Sequence, residues 1–376
     1  MPRPDDRPLR RLKTLEPRKS TLERCVFCPK LCRTACPVSN AEPRETLTPW
    51  GKMSMAYFVA NESVELAPSF AEPAWACTGC FGCREHCDHK NDVAGTLFDA
   101  RSAMLEQGVA PAAAKRVLEQ FTDKSSVLGK SAQELSVMDE VDDASATALL
   151  LGCAYARSAP AEARDAVRAT AKLVGGPVSI VTVCCGAPLL HAGDKKRCVQ
   201  QGEMLAQAIK HKERVVVIDA GCASTIRVHH AANGVGMIAP VEHFAELAAR
   251  ELGRLSRVPG LDDGPVRYHD PCQLGRGLGV YDQPRALLAR ALGRAPDEFE
   301  RRRDDARCSG GGGLLPLTMP ETSEAIARGR VAEHDAQGGG KVVTACASSL
   351  RKFRKQGAKA VDLVTVVARA LGVSGA

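Results

Sequence analysis

Two short cysteine runs constrain the N-terminal part of this chain more than any other feature. The runs CVFCPKLCRTACP and CTGCFGCREHC contain eight cysteines: Cys25, Cys28, Cys32, Cys36, Cys77, Cys80, Cys83 and Cys87. Three cysteines within about seven residues can bind three corners of one cubane [4Fe–4S] cluster, because the backbone between them turns tightly. The fourth cysteine of each run then faces away. We therefore predict two [4Fe–4S] clusters, with Cys36 and Cys87 each completing the neighbouring cluster.

The spacing within the runs favours iron–sulfur ligation over zinc binding. The second run has the C-x2-C-x2-C-x3-C pattern of bacterial ferredoxins without their final proline, whereas the first run has Pro37 and one extra residue before its third cysteine. Gly79 and Gly82 would let backbone amides approach the sulfides, and such hydrogen bonds raise a reduction potential. Structural zinc sites use cysteine pairs separated by a longer loop. A zinc-stabilised, non-catalytic scaffold stays open as an alternative.

Composition is that of an ordinary globular protein. The 376 residues are 44% apolar and 25% charged, and no apolar run approaches the ~20 residues of a membrane helix. The basic N-terminus lacks the apolar segment of a secretory signal, which predicts a cytoplasmic protein whose sixteen cysteines are metal ligands or redox groups. The net charge of +7 is dispersed and no nucleic-acid-binding motif is found, so nucleic acid is not expected as a partner. Peripheral contact with an anionic membrane surface stays open.

The texture of the sequence divides the chain into segments. Residues 1–20 read as a basic flexible tail, 21–110 as a helical two-cluster domain and 111–145 as a helical and acidic linker. Beyond them, β-rich runs alternate with amphipathic helical stretches, which predicts α/β domains with parallel sheets at 146–256 and 264–374. The predicted strands are TALLLG, VSIVTV, RVVVID, VGMIA, VRYHD and KVVTA. The predicted fold class is multidomain α+β, with a helical ferredoxin-type domain before two tandem α/β domains.

The two α/β domains are copies of one another. Copy one carries Cys153, Cys184, Cys185 and Cys222, and copy two carries Cys272, Cys308 and Cys346. The step from Cys184 to Cys222 is 38 residues, as is the step from Cys308 to Cys346, and each copy ends on a similar string, ARELG or ARALG. Each cysteine is expected to follow a strand, where open α/β sheets place their ligand sites.

Two strings in these copies, CCGAPLL at 184–190 and YHDPCQLGRGLGVYDQPRALL at 268–288, resemble the cysteine-rich CCG domain. This domain occurs in heterodisulfide reductase catalytic subunits. It also occurs in the iron–sulfur subunits of glycolate oxidase, anaerobic glycerol-3-phosphate dehydrogenase and lactate-utilisation systems. The family motif is one cysteine, a CCG triplet and a C-x-x-C pair, and in heterodisulfide reductases it holds a non-cubane iron–sulfur centre. The resemblance implies that the copy-one cysteines and Gly186 of the triplet surround a cluster.

Both copies depart from the family motif. Thr225 replaces the last cysteine of copy one, and Ser309 and Ser349 replace two cysteines of copy two. Copy one keeps four thiolates, which suffice for a further [4Fe–4S] cluster. Copy two keeps three, which fit a three-iron cluster, a cubane with a serine or histidine ligand, or no cluster. Hydroxyls bind iron less readily than thiolates because their pKa is much higher, so a further cluster is expected in copy one before copy two.

The resemblance implies an iron–sulfur electron-transfer subunit of a multi-subunit oxidoreductase. An FAD-containing dehydrogenase partner would oxidise a 2-hydroxy acid or glycerol 3-phosphate, and a quinone or a membrane subunit would accept the electrons. No flavin or dinucleotide fingerprint is visible, so no catalytic residue is assigned and the chain alone is expected to lack dehydrogenase activity. The alternative is a heterodisulfide-reductase-like subunit that reduces a disulfide or related sulfur substrate at copy one.

Overall fold

The computed structural model describes residues 8–28, 32–121 and 134–375. They form two compact units. The first unit contains the described residues of Met1–Thr122 with Pro188–Cys198 and Arg307–Arg330, and the second contains those of Asp123–Ala187, Val199–Ala306 and Val331–Ala376. Of the seven repeat cysteines, Cys308 belongs to the first unit and the other six belong to the second.

The first unit is helical. The helices before the first strand are Lys19–Val26, Pro37–Ala41, Pro49–Ala60, Pro68–Trp75, Gly82–Glu85, Val93–Glu106 and Ala112–Gln120. Three of them open with proline, whose fixed φ suits the first helical position. Thr48 caps Pro49–Ala60, since its Oγ1 accepts a hydrogen bond from the Gly51 amide at 3.0 Å. Leu22, Met53 and Trp75 are fully buried in the core that these helices share.

The second unit contains two parallel sheets. The first sheet has the order β2-β1-β3-β4, with β1 at Thr147–Leu150, β2 at Ser179–Ile180, β3 at Arg214–Val217 and β4 at Val241–His243. The second has the order β5-β6-β7, with β5 at Val266–His269, β6 at Lys341–Thr344 and β7 at Lys359–Asp362. A parallel bridge joins Arg267 to Asp297 beside β5, at the position that β2 occupies beside β1. The two copies therefore share one topology, and the predicted fold class is confirmed.

Helices alternate with these strands along the chain. From β1 onward they are Cys153–Ser158, Pro160–Val174, Ala187–Ala192, Lys195–Ile209, Ala220–Ser224, Phe244–Arg250, Gly275–Leu278, Asp282–Leu292, Leu315–Thr318, Pro320–Ala336, Ala347–Lys355 and Leu363–Ala370. A π-helical stretch continues from Ala220–Ser224 through Thr225–His230.

The two copies pack against each other reciprocally within the second unit. Pro160–Val174 of copy one contacts Leu363–Ala370 of copy two, and Asp282–Leu292 of copy two contacts Phe244–Arg250 of copy one. Each pair joins the long helix after the first strand of one copy to the last helix of the other. One continuous hydrophobic core runs through both copies as a result.

One predicted strand was wrong, one strand was missed, and one cysteine does not follow a strand. The VGMIA run at 235–239 is not a strand, because Ile238 is 81% exposed and pairing with β3 starts only at Val241. Strand β7 was not predicted, because Lys359–Asp362 is short and carries a charge at each end. Cys308 does not follow a strand either: among the described residues between β5 and β6, sheet pairing is limited to the Asp297 bridge.

Candidate functional site

The first unit contains two cysteine-lined cavities, which we name cavity A and cavity B. Cavity A encloses about 360 Å³, partly open to solvent, and is lined by Cys25, Cys28, Cys32 and Cys87. Cavity B encloses about 340 Å³ and is lined by Cys36, Cys77, Cys80 and Cys83. The fourth cysteine of each run thus lies in the cavity of the other run, which is the arrangement that the crossover predicts. Cys83 and Val93 line both cavities, so the two are immediate neighbours.

Some of the buried thiols in the cavities are unfavourable as isolated anions. Burial raises the pKa of Cys25 to about 12 against a hydrogen bond from Asn91 that lowers it, and repulsion from Cys32, Cys87 and Cys28 adds to the rise. Burial likewise raises the pKa of Cys83 well above its usual value, with repulsion from Cys77 and Cys80 in addition. Positively charged iron would relieve the burial and the repulsion together. The donor set therefore fits an iron–sulfur cluster in each cavity.

Backbone geometry also fits a cluster in cavity B. The Gly79 amide donates to Cys77 Sγ at 3.4 Å, and Gly79 has a φ of +67°, which a residue with a Cβ rarely adopts. Gly82 is buried and begins the helix Gly82–Glu85 directly after Phe81, which is itself left-handed. Amides that point towards sulfur are the groups expected beside an iron–sulfur cluster.

Two polar residues at the cavities escape prediction from the sequence. Lys52 Nζ lies 3.4 Å from Cys36 Sγ in cavity B, although Lys52 belongs to a stretch that is recognisable only as helical. Asn91 Nδ2 lies 2.9 Å from Cys25 Sγ in cavity A. Its only sequence signal is a position four residues after Cys87. Both side chains are almost fully buried.

Copy one brings its four predicted cysteines together in the second unit. Cys185 Sγ lies 3.1 Å from Cys222 Sγ, and Cys184 is hydrogen bonded to both Cys153 and Cys185. The hydrogen bond with Cys185 is the largest influence on the pKa of Cys222 and lowers it, but burial together with repulsion from Asp219, Cys153 and Cys184 raises it to about 12. The Gly186 amide donates to Cys184 Sγ at 3.3 Å, with a φ of +83° at Gly186. Four adjacent thiols are a donor set that fits a further cluster.

Gly152 and Asp219 hold the copy-one thiols and were not predicted. Asp219 Oδ1 accepts hydrogen bonds from the amides of Gly221 at 2.9 Å and Cys222 at 3.1 Å, which fixes the turn that carries Cys222. Gly152 has a φ of +87°, and a Cβ there would lie 2.8 Å from Asp219 Cβ and 3.0 Å from Cys222 Sγ. The sequence signal is a Gly-Cys pair after each of β1 and β3.

Copy two retains the local geometry of individual cysteines. The Gly310 amide donates to Cys308 Sγ at 3.3 Å with a φ of +79° at Gly310, which matches the Gly186–Cys184 pair. Burial raises the pKa of Cys346 to about 12, repulsion from Asp219 adds to it, and hydrogen bonds from Ser349 lower it. Cys272 is only half-buried, and Gln273 Nε2 lies 4.0 Å from its sulfur.

The described residues contain no single-ion metal site, no disulfide and no membrane-spanning helix. No group of three His, Cys, Asp or Glu side chains converges as a single metal ion would require. No disulfide joins any cysteines of residues 8–28, 32–121 and 134–375. No helix in this described part of the chain is long and apolar enough to cross a membrane.

Comparison with known domains identifies both parts of the chain. Residues 21–91 match the 4Fe-4S dicluster domain, and residues 147–227 and 266–353 each match the Cysteine-rich domain. The dicluster match means two [4Fe–4S] clusters in the N-terminal domain, as predicted, and leaves the zinc scaffold without support there. A solved structure of a hypothetical protein from Helicobacter pylori has a similar fold, with a TM-score of 0.61 and 10% identity over 96% of this chain and 76% of that chain.

Curated relatives match most of the chain at low identity. A dihydromethanophenazine:CoB–CoM heterodisulfide reductase subunit of Methanosarcina barkeri is 24% identical over 94% of this chain and 95% of its own length. A fumarate reductase (CoM/CoB) subunit of Methanothermobacter marburgensis is 25% identical over 82% of this chain, which spans only 62% of that relative. The probable iron-sulfur-binding oxidoreductase FadF of Bacillus subtilis is 25% identical over 68% of this chain and 39% of its own length. With domain matches over well over half of its residues, the chain belongs to the iron–sulfur proteins that join a 4Fe–4S dicluster domain to two cysteine-rich domains.

Proposed function

We propose that this chain is the electron-transfer subunit of a multi-subunit oxidoreductase. The observation that carries the proposal is the pair of adjacent cavities. Cavity A is lined by three cysteines of the first run with Cys83 and Cys87, and cavity B is lined by three cysteines of the second run with Cys36. Two [4Fe–4S] clusters bound there would take up and release single electrons at neighbouring positions. The domain matches and the names of the relatives support this class of protein.

The residues of each cavity have separable roles in this proposal. The four cysteines would hold the cluster, and the Gly79 and Asn91 donors would stabilise charge on the thiolates of Cys77 and Cys25. Apolar side chains reduce access of water: Val93 lines both cavities, and Phe81, which lines cavity B, is 5% exposed. A low local dielectric strengthens every charge interaction at the cluster.

The partners are inferred from chemistry that the chain lacks. No flavin-binding fingerprint is present, so a separate FAD-containing dehydrogenase would supply the electrons, with a 2-hydroxy acid or glycerol 3-phosphate as its substrate. A quinone or a membrane subunit would accept them, which would bring the complex to the inner face of a membrane. Relatives named as subunits of fumarate reductase and heterodisulfide reductase support a multi-subunit assembly.

The crossed ligation is tested by Cys36→Ser and Cys87→Ser in anaerobically purified protein. Serine is a poor iron ligand at neutral pH. We expect Cys36→Ser to disrupt the cubane signal of cavity B in low-temperature EPR, and Cys87→Ser to disrupt that of cavity A. Cys198→Ser is the matched control, because Cys198 is a buried cysteine packed on Phe98 and Leu190 away from both cavities. Colourless protein with zinc and no acid-labile sulfide would contradict the proposal.

The dependence on a partner is tested by activity. The purified chain should not reduce a dye with glycolate, lactate or glycerol 3-phosphate as electron donor. With the matching flavoprotein added, wild-type protein should reduce the dye and the Cys36→Ser variant should not. Oxidation of a hydroxy acid by the chain alone would show that the chain is itself the dehydrogenase.

A second candidate function is reduction of a disulfide at copy one. The close contact of Cys185 and Cys222 and the heterodisulfide reductase relative favour it. The substrate disulfide would take two electrons and two protons and leave as two thiols, with dithionite as the electron donor in the test. Turnover of a disulfide by the reduced chain, and its loss in Cys185→Ser, would support this function. Equal turnover in Cys185→Ser would exclude copy one as its site.

A further inference from the structure

The two cavities differ in the charge of their buried neighbours. In cavity B, Lys52 is 2% exposed and its ammonium lies 3.4 Å from Cys36 Sγ. In cavity A, the corresponding contact is the neutral amide of Asn91, 4% exposed, at 2.9 Å from Cys25 Sγ. One cavity thus has a buried positive charge against a cysteine sulfur, and the other has a dipole.

The fold fixes the position of Lys52. Its helix begins at Pro49 with the Thr48 cap, and a Cβ at Gly51 would lie 2.2 Å from the carbonyl oxygen of Glu45, so this turn is packed without space. The Lys52 ammonium lies 3.4 Å from Cys36 Sγ. Cys36, Cys77 and Cys83, the cysteines whose charges act on it, all line cavity B.

A second buried cation lies beside cavity B. Arg101 is fully buried and donates to the carbonyl oxygen of Cys77 at 2.8 Å, and to those of Ala74, His191 and Gly313 at 2.8 to 3.0 Å. A guanidinium stays protonated in proteins, so Arg101 is a buried positive charge. Its bonds to carbonyl oxygens leave that charge without a carboxylate partner among these contacts.

The cations around cavity A lie in a different environment. Arg24 and His89 line this cavity but are exposed, so water and salt screen their charges. Buried cations therefore lie beside cavity B, whereas the cations that line cavity A are exposed to water.

We propose that Lys52 sets the reduction potential of the cavity B cluster and makes it the better electron acceptor of the two. The inference rests on the proposed function, because it requires a cluster in each cavity. One-electron reduction adds one negative charge to a cluster and breaks no bond, while the reductant loses that electron. A buried ammonium at 3.4 Å stabilises the more negative state, and charge and hydrogen bonding at the sulfurs are established determinants of cluster potential. Lys52 is a positioning residue for charge and not a ligand.

The consequence is a direction for electron transfer inside the domain. An electron that enters at cavity A moves downhill to cavity B and is held there. Reversal of the order of the two potentials would make cavity A the resting position.

The test is an anaerobic redox titration followed by EPR on wild-type protein and a set of matched variants. Lys52→Met keeps the length of the side chain and removes its charge, and Lys52→Arg keeps the charge. Lys90→Met is the control, because Lys90 is three residues from Cys87 but its side chain is 60% exposed. Asn91→Leu removes the neutral donor of cavity A.

We expect Lys52→Met to shift one of the two one-electron steps at least tenfold towards the oxidised form, which is about 59 mV to more negative potential. The other step should stay in place. Lys52→Arg should restore most of the shift, and Lys90→Met should change either step less than twofold. Asn91→Leu should lower the step that Lys52→Met leaves unchanged, which assigns the two steps to their cavities.

Three outcomes separate this inference from the proposed function. A wild-type chain without two cubane clusters overturns both. Intact clusters whose potentials do not move, or move equally, in Lys52→Met overturn only the role of Lys52. If Lys52→Met loses iron, Lys52→Gln supplies a polar neutral side chain, and an unshifted step in a loaded Lys52→Gln protein overturns the inference.

Discussion

The two cysteine-rich copies share one strand topology and differ in the cysteines that this topology positions. Both have a parallel sheet with the same strand order, counting the Asp297 bridge as the counterpart of β2. Both place a glycine amide 3.3 Å from a cysteine sulfur, Gly186 on Cys184 and Gly310 on Cys308. Within the described residues, copy one alone gathers four thiols in a chain of contacts. Packing therefore maintains the strand topology in both copies, and the number of cysteines at the site varies independently of that topology.

The cap of the helix after the last strand is another position that both copies keep while the type of residue differs. The last residue of β4 is His243 and the last residue of β7 is Asp362, and each caps the helix that follows. His243 Nδ1 accepts from the Ala245 amide at 3.1 Å, and Asp362 Oδ1 accepts from the Val364 amide at 2.9 Å. One structural task is performed by a base in copy one and by an acid in copy two, so the copies should respond differently to pH.

The largest difference between the copies should appear in iron content. Cys185→Ser places a hydroxyl, 2% exposed at this position, in contact with Cys222, and hydroxyls are poor iron ligands. If copy one holds a cluster, iron per chain should fall from about twelve to about eight, the number for two cubanes. The counterpart of Cys185 in copy two is already Ser309, so the comparison change is Cys272→Ser, which should leave iron and acid-labile sulfide unchanged. Equal losses in both variants would show that the copies do not differ in cluster binding.

The next largest effect is the pH dependence that Asp362 of copy two gives to the free energy of unfolding. Burial raises the pKa of Asp362 to about 7, although hydrogen bonds from the Val364 amide and the Tyr155 hydroxyl lower it. The folded state then holds a proton that the unfolded state releases near pH 4, so stability falls as pH rises from about 4 to about 7. Asp362→Asn can keep both hydrogen bonds and should remove this fall, worth up to about 4 kcal/mol at pH 8. Anaerobic urea unfolding at pH 5.5 and pH 8 measures it, and an unchanged pH slope in the variant would refute it.

Copy one should show a somewhat smaller effect of opposite sign. Burial lowers the pKa of His243 to about 4, although the hydrogen bond to the Ile218 carbonyl raises it. The unfolded state takes up a proton below about pH 6.5 that the folded state refuses, so stability is lost as pH falls from about 6.5 to about 4, by up to about 3 kcal/mol. His243→Asn should remove this loss in urea unfolding between pH 5 and pH 8. In wild-type protein the two slopes partly cancel, so each single variant should expose the slope of the other residue.

The sequence predicted the two α/β copies because the signals for them are local. Strand–helix alternation and the matching cysteine spacing depend on residues close in the chain, and the fold class followed from them. Strand β7 was missed because Lys359–Asp362 has too few apolar residues to stand out, and its pairing with β6 is a tertiary event. The bridge at Asp297 carries no pattern that a sequence can show.

The cysteines that line the two cavities were predictable from the sequence, and the residues around them were not. Dense cysteine runs identify these thiols by spacing alone, and ligation of the neighbouring cluster by Cys36 and Cys87 stays a prediction. Lys52 and Asp219 act on cysteine thiols from other elements, and their proximity depends on how helices and strands pack. Buried charged groups of this kind are set by three-dimensional context, so a single sequence gives no signal for them.

The smallest difference concerns two left-handed glycines in different settings: Gly152, directly before Cys153, and Gly279, which ends the helix Gly275–Leu278 of copy two. Gly152 has a φ of +87° and no room for a Cβ, whereas Gly279 has a φ of +74° and a Cβ added there would meet no atom within 4 Å. Gly279→Ala should cost only the left-handed backbone penalty, about 1 to 2 kcal/mol. Gly152→Ala adds a clash with Asp219 and Cys222, so it should cost a further 1 to 3 kcal/mol or so and also weaken the copy-one EPR signal. Urea unfolding and EPR of the two variants measure both effects. Equal destabilisation with unchanged spectra would mean that the turn before Cys153 yields to a side chain, and that the copy-one thiols are held by packing that copy two shares.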